Sequence, residues 1–211
     1  MSTHLLLIRH AETLWNREQR VQGNSDVPLS GEGHTQALRL ARRLASCRPD
    51  ALYTSDLSRA QQTAAPIARL CGLTPVPLPG LRELDLGEWE GLLVSEVIAR
   101  WPDLFQQWRG QFNAVRPPGG ETDLELVERV TAAGRRITAE NAGRRVAIVG
   151  HGGSVRVLVA WLLGLPWEAC DAFAVSSASL TAVRVGDDLP VLETLNSTYH
   201  LHFGRRPSHG P

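Results

Sequence analysis

Four apolar residues at positions 5–8 run without a break into Arg9 and His10. A short continuous apolar run ended by polar residues is the pattern of a strand buried on both faces of a parallel sheet. Ala51–Thr54 and residues 146–149 repeat that form. Between these runs the period changes. Ala37, Leu40, Ala41 and Leu44 fall at helical spacing, with Ser30 as a cap before them, Cys47 near the end and Pro49 as a stop. Ser58 with Gln61 reads as a capping box opening a second helix, kinked at Pro66 and ended by Gly72. Thr122 with Glu125 is another capping box, followed by the stripe Val127, Val130, Gly134 and Ile137 and closed by Gly143. Ser154 is expected to cap a short helix, apolar nearly all round, that ends at Gly164. Residues 75–78 read as a short strand, residues 92–108 as helical, and residues 178–185 with 189–195 as a hairpin about Gly186-Asp187-Asp188.

Strands alternating with helices predict an α/β three-layer sandwich: a mostly parallel central sheet, helices on both faces, and antiparallel strands added by the closing hairpin. The chain has 211 residues, which fits one domain. That domain is expected over 1–203, with 204–211 as a disordered tail. Formal net charge is zero, so no global field draws the chain to nucleic acid or to a membrane, and neither is expected as a partner. All the basic residues are arginine, which removes lysine chemistry such as Schiff bases. Cys47, Cys71 and Cys170 lack CxxC spacing, and the start of the chain leads directly into a strand; a reducing cytoplasm is the expected setting. The longest apolar run, residues 155–165 and containing Arg156, is too short to span a bilayer.

The candidate chemistry sits where the predicted strands end. Open α/β sheets bind ligands at the carboxyl ends of their strands. The first strand delivers Arg9 and His10 there. The run at 146–149 is followed by Gly150-His151-Gly152-Gly153 and a helix start, an anion site by backbone geometry. Arg59 falls in the first turn of a helix just past another strand end, where free N–H groups also favour anions. The stretch LRELDLGEWEG, residues 81–91, places Glu83, Asp85, Glu88 and Glu90 in a loop. Trp101, Phe105, Trp108 and Phe112 form an aromatic stripe, read first as core and second as a lid over the site.

These segments together resemble the histidine phosphatase superfamily, in its phosphoglycerate-mutase-like branch. That family carries Arg-His-Gly at the end of the first strand, then Glu-Thr/Ser-x-Trp-Asn; here the residues are Arg9, His10, Ala11, Glu12, Thr13, Trp15 and Asn16. Ala11 departs from the glycine, and would be strained if the position required positive φ. Ser55, Arg59, Ala60 and Thr63 match the family's second arginine motif, Glu83 its Leu-x-Glu motif, and His151 its second histidine. Residues 196–201 are similar to the family's closing segment, and the PPGGE run at 117–121 looks like the broad-specificity and α-ribazole phosphatases.

The resemblance implies a metal-independent phosphomonoesterase with no cofactor, acting on a small phosphorylated metabolite. His10 would be the nucleophile and Glu83 the general acid, with Arg9, Arg59 and His151 around the phosphate. Asn16, Gln22, Gly23 and Gly152 would complete phosphate or substrate binding. Other readings remain open: a cofactor-dependent phosphoglycerate mutase, or a non-catalytic phospholigand-binding protein. Arg100, Arg109 and Arg116 are read as surface arginines rather than carboxylate ligands. A zinc site built on the two histidines and Glu83 ranks behind, because adjacent arginines oppose a divalent cation. The oligomeric state is open, a homodimer included.

Overall fold

The computed structural model describes residues 2–110, 115–186 and 188–202. Among them six strands form one sheet: β1 (Thr3–Arg9), β2 (Ala51–Thr54), β3 (Val76–Pro77), β4 (Arg145–Gly150), β5 (Leu180–Val185) and β6 (Val191–Ser197), in the spatial order β3-β2-β4-β1-β5-β6. The pairs β1–β4, β2–β4 and β2–β3 are parallel, and β5 and β6 add antiparallel strands at one side. The helices are α1 (Leu14–Arg17), α2 (Gly31–Cys47), α3 (Ser58–Cys71), α4 (Val94–Arg100), α5 (Pro102–Gly110), α6 (Asp123–Glu140) and α7 (Gly152–Leu162).

The unbroken apolar run in β1 follows from burial on both faces. Leu5 and Leu7 pack with Val146 and Ile148 against α6 and α7. Leu6 and Ile8, pointing the other way, pack with Ala147 and Val149 against α2 and α3. Successive side chains of a strand alternate between faces, so two cores demand apolar residues at every position. The predicted three-layer sandwich is the fold observed.

Several local expectations need correction. Ser58 does not cap α3: Leu57 stands at the cap, and the Ser58 N–H donates to Asp26 Oδ1 at 2.7 Å. Ser154 does not cap α7 either. His151 holds that position, and the His151 N–H donates to the Ser154 hydroxyl at 2.8 Å. The helix foreseen over 92–108 is two helices, parted at Trp101 because Pro102 disfavours helical backbone in the residue before it. Helix α3 is assigned continuously through Pro66. Thr122 and Glu125 do form the capping box of α6. Ala11 is not among the residues of positive φ, so alanine is unstrained there. Phe112, the Asp187 position of the hairpin turn and the tail at 204–211 lie outside the described residues.

Candidate active site

Strand register brings the two histidines together. Arg9 is paired with Gly150 across β1 and β4, so the next residues, His10 and His151, lie side by side with ring centroids 5.1 Å apart. Both are buried, His10 at 3% exposure and His151 at 0%. Their tautomers are fixed by opposite partners. His10 Nδ1 lies 2.7 Å from the Ala11 carbonyl, which only accepts, so Nδ1 carries the proton and Nε2 the lone pair. His151 Nδ1 accepts from Arg59 Nε–H at 3.2 Å, so its proton sits on Nε2, which is buried and without a partner among the described residues. Burial pushes the pKa of both imidazoles well down, and Arg59 and Arg9 push further the same way. Both rings are therefore neutral at neutral pH, one offering a lone pair and the other an N–H.

The arginines are anchored to leave donors over. Arg59 is fully buried; its Nη2 donates to the Gly23 carbonyl at 2.6 Å and its Nη1 to the Ser25 carbonyl at 2.7 Å. Arg9 donates through Nη1 to the Val175 carbonyl at 2.7 Å, while its buried Nε has no partner among the described residues. Burial pulls down the pKa of each guanidinium, Glu83 opposing it in both. An arginine stays charged through such a shift, so two cations stand beside two neutral imidazoles.

Glu83 reaches this group from the loop that precedes a short 3₁₀ turn at Gly87–Trp89. The Gly153 N–H lies 3.1 Å from each carboxyl oxygen, and the Leu84 N–H donates to Oε1 at 2.9 Å. Arg129 of α6 clamps the segment behind it, donating to the carbonyls of Gly80, Arg82 and Glu83 at 3.3, 2.8 and 2.6 Å. The same guanidinium is paired with both oxygens of Glu121. Asn16 and Gln22 are oriented by Thr13, whose N–H donates to Asn16 Oδ1 at 3.0 Å and whose hydroxyl donates to Gln22 Oε1 at 2.8 Å. Their NH2 ends are thus available to the cavity that both line.

That cavity is about 640 Å³ and brings together Arg9, His10, Asn16, Gln22, Gly23, Arg59 and Glu83. His151 is not on its wall; its ring packs against that of His10, which is. Gly152 is not on the wall; Gly153 is. A Cβ on Gly153 would lie 2.3 Å from Glu83 Oε1, so this glycine is the space the carboxyl occupies. Gly23 has φ +50°, and a Cβ there would meet the Glu90 carboxylate. Glu90 in turn accepts from the N–H groups of Asn24 and Ser25, fixing the loop whose carbonyls hold Arg59. Of the four loop acids, Glu83 meets the cavity, Glu90 braces it, Asp85 accepts from the Gly87 N–H, and Glu88 is exposed.

Gly153, Arg129, Glu121 and Arg156 carry parts of this arrangement that sequence reading missed. The GG pair after His151 was the available signal for Gly153. Of the aromatic stripe, Trp101, Phe105 and Trp108 are half-buried and pack around the buried Trp89, and Trp108 with Arg109 forms part of the cavity wall. Among the described residues no three His, Cys, Asp or Glu side chains are grouped to hold a metal ion. No helix among them is long and apolar enough to cross a membrane.

A neutral imidazole lone pair, two anchored guanidiniums and a carboxyl group meet at one cavity, with a second neutral imidazole packed against the first. This is the arrangement of a phosphohydrolase or phosphomutase of the histidine type. The chain belongs to the histidine phosphatase superfamily (branch 1), whose profile matches residues 5–198. Among its curated relatives, phosphoserine phosphatase 1 of Hydrogenobacter thermophilus is 32% identical over 93% of each chain. A probable phosphoglycerate mutase of Yersinia pestis is 37% identical over 92% of this chain and 93% of its own. The α-ribazole phosphatase of Shigella flexneri superposes with a TM-score of 0.85 at 28% identity, covering 92% of this chain and 96% of that one. Members of the family are phosphatases or mutases, and phosphatases among the relatives support hydrolase activity in this chain.

Proposed function

We propose that this chain hydrolyses a small phosphate monoester through a phosphohistidine on His10. The observation that carries the reading is the locked tautomer: with Nδ1–H held by the Ala11 carbonyl, Nε2 has its lone pair in a cavity walled by Arg9 and Arg59. In the first step Nε2 attacks phosphorus, the bond to the ester oxygen breaks, and Glu83 in its acid form gives that oxygen its proton. Arg9, Arg59 and the His151 Nε2–H neutralise charge on the equatorial oxygens, as phosphoryl transfer requires. In the second step water attacks the phosphohistidine while the Glu83 carboxylate takes its proton. The N–P bond then breaks, and inorganic phosphate leaves with His10 restored. Asn16 and Gln22 add neutral donors to the phosphate, and Gly23 serves through its carbonyl on Arg59.

The 37% identity to a probable mutase favours a second reading, in which a substrate hydroxyl replaces water as acceptor. Both readings share the phosphoenzyme, so the first test is its capture. Rapid quench with substrate labelled in the phosphate is expected to trap an acid-labile, base-stable phosphoprotein that is absent from His10→Ala. Label recovered on serine, or turnover retained by His10→Ala, would overturn the proposal. Following inorganic phosphate in the same reaction separates the readings: release at the rate of substrate loss marks the hydrolase, and isomerised monoester without release marks the mutase.

A further inference from the structure

Asn196 and His200, in the closing segment at 196–201, are not on the cavity wall. Both are hydrogen-bonded to a turn that is itself tied to the nucleophile. Strand register explains the placement. β5 lies between β1 and β6, and Leu180 pairs with Ile8 on one side and with Ser197 on the other. The turn at 176–179, just before β5, therefore sits beside His10, and the residues after β6 sit across from it. The turn is closed by the Ser179 N–H, which donates to the Ser176 carbonyl at 3.0 Å.

This turn, with the residue before it, holds both residues at the end of β1. The Ala178 N–H donates to the His10 carbonyl at 3.1 Å, and the Val175 carbonyl accepts from Arg9 Nη1 at 2.7 Å. Its backbone is not relaxed. Ala178 is fully buried at φ +55°, a left-handed conformation that a Cβ opposes. Such backbone persists only where its surroundings over-determine it. Here the closing segment supplies them. His200 Nε2 lies 2.9 Å from the Ala178 carbonyl, which only accepts, so Nε2 carries the proton and donates. Asn196 Oδ1 accepts from the Ser176 N–H at 2.7 Å, with Asn196 itself at φ +50°, where asparagine is tolerated. The segment is anchored in turn: the Asn196 N–H donates to the Thr181 hydroxyl at 3.1 Å, and Arg39 of α2 donates to the Leu201 carbonyl at 2.8 Å.

Building on the phosphatase reading, we infer that Asn196 and His200 are positioning residues for phosphoryl transfer: by clamping the turn at 176–179 they set where His10 and Arg9 stand against the phosphate. A misplacement of about 1 Å at reacting atoms can cost about 10²-fold in rate. Without the His200 donor, Ala178 is free to leave its strained conformation, and its N–H then leaves the His10 carbonyl.

The test measures vanadate binding by titration calorimetry, beside kcat/KM on p-nitrophenyl phosphate. Vanadate adopts the five-coordinate geometry of transfer, so its dissociation constant reads the alignment of nucleophile and arginine, while the stoichiometry reads the fraction of molecules that is folded. His200→Leu lacks the donor. Asn196→Gly keeps the backbone conformation and lacks the acceptor. Each is expected to weaken vanadate binding, and to lower kcat/KM, by about 10-fold. His200→Gln returns a donor and Asn196→Asp an acceptor, and each is expected to recover most of that loss. A merely structural role would lower the stoichiometry and leave the dissociation constant unmoved. That result, or Gln and Asp variants no better than Leu and Gly, would overturn the inference. If the unaltered protein binds vanadate and hydrolyses no phosphate ester, the phosphatase reading has failed, and the dissociation constants still judge the clamp. If esters are hydrolysed and the variants bind vanadate as the unaltered protein does, only the clamp has failed.

Discussion

The two histidines show how a single hydrogen bond assigns a role. Ala11 offers His10 a carbonyl and Arg59 offers His151 an N–H, and those partners give identical side chains opposite protonation at Nδ1. The same logic applies to Arg129. A guanidinium has five N–H donors, and this one spends them on three successive-loop carbonyls and on Glu121, not on the cavity. It therefore acts on chemistry through the placement of Glu83. Proton donation matters most when the leaving group is poor, and such donation is typically worth about 10²–10⁴-fold. Glu83→Gln is accordingly expected to slow an alkyl phosphate by about that factor and p-nitrophenyl phosphate much less. Arg129→Gln is expected to share the pattern at smaller amplitude, about 10-fold on the alkyl ester. Comparing kcat/KM on the two esters checks both; equal losses on aryl and alkyl substrates would make Glu83 and Arg129 structural. Arg9, His10, Arg59 and His151 were legible in the chain because each sits at a strand end or helix start, whereas Glu83, in a loop among other acids, was legible only through the resemblance of its Leu-x-Glu motif. Arg129 was not, since what it holds in place are backbone carbonyls 46 to 49 residues away, which leave no mark in a sequence.

At the scale of elements, periodicity located almost every strand and helix, while caps were misread where a strand end feeds a helix directly. Ser58 and Ser154 both satisfy the local rule for a cap. In each case an earlier residue of extended backbone takes the cap, Leu57 before Ser58 and His151 before Ser154, so the helix starts one to three residues earlier than the serine suggests. For α7 this shift matters. It puts Gly153 in the first turn with its N–H unclaimed by the helix, and therefore free for Glu83. The junction of β4 and α7 thus supplies the ring of His151 from its cap and the anchor of Glu83 from its first turn. Gly153→Ala tests the packing of that junction. The new methyl would need the place of Glu83 Oε1, and overpacking of this kind costs typically about 1–3 kcal/mol if the carboxyl stays. The carboxyl is the easier group to move, being the end of a flexible side chain. The expected outcome is a small fall in unfolding midpoint with a loss of about 10²-fold on alkyl phosphates. A variant that unfolds readily yet keeps full alkyl-phosphate turnover would show that Glu83 acts from another position.

Taken as a whole, the molecule places its site at the carboxyl ends of β1, β2 and β4, where the two cores on either face of the sheet meet. Burying imidazoles beside two guanidinium groups there has a consequence for the stability of the entire fold. His10 and His151 have pKa values well below the ordinary 6.5, mainly through burial, and His200 is lowered in the same direction. Below pH 6.5 the unfolded chain therefore binds protons that the folded chain refuses, so the folded state is favoured above that pH and loses ground as pH falls toward the folded values. Two strongly shifted imidazoles set a limiting slope of about 2.7 kcal/mol per pH unit in that window. Carboxylates held low by ion pairs, such as Asp56 beside Arg82, add their loss only at more acid pH. Urea unfolding between pH 7.5 and 5 is expected to show stability nearly flat down to about 6.5 and then falling. His151→Asn is expected to remove about half of the His10–His151 slope, even if its stability at pH 7.5 is lower. On the proposed mechanism catalysis should keep its plateau below that same pH, because the His10 ring in the folded state is still unprotonated. Stability unchanged between pH 7.5 and 5 would mean that the buried imidazoles take up protons as readily folded as unfolded, and the neutral nucleophile proposed at His10 would lose its physical basis.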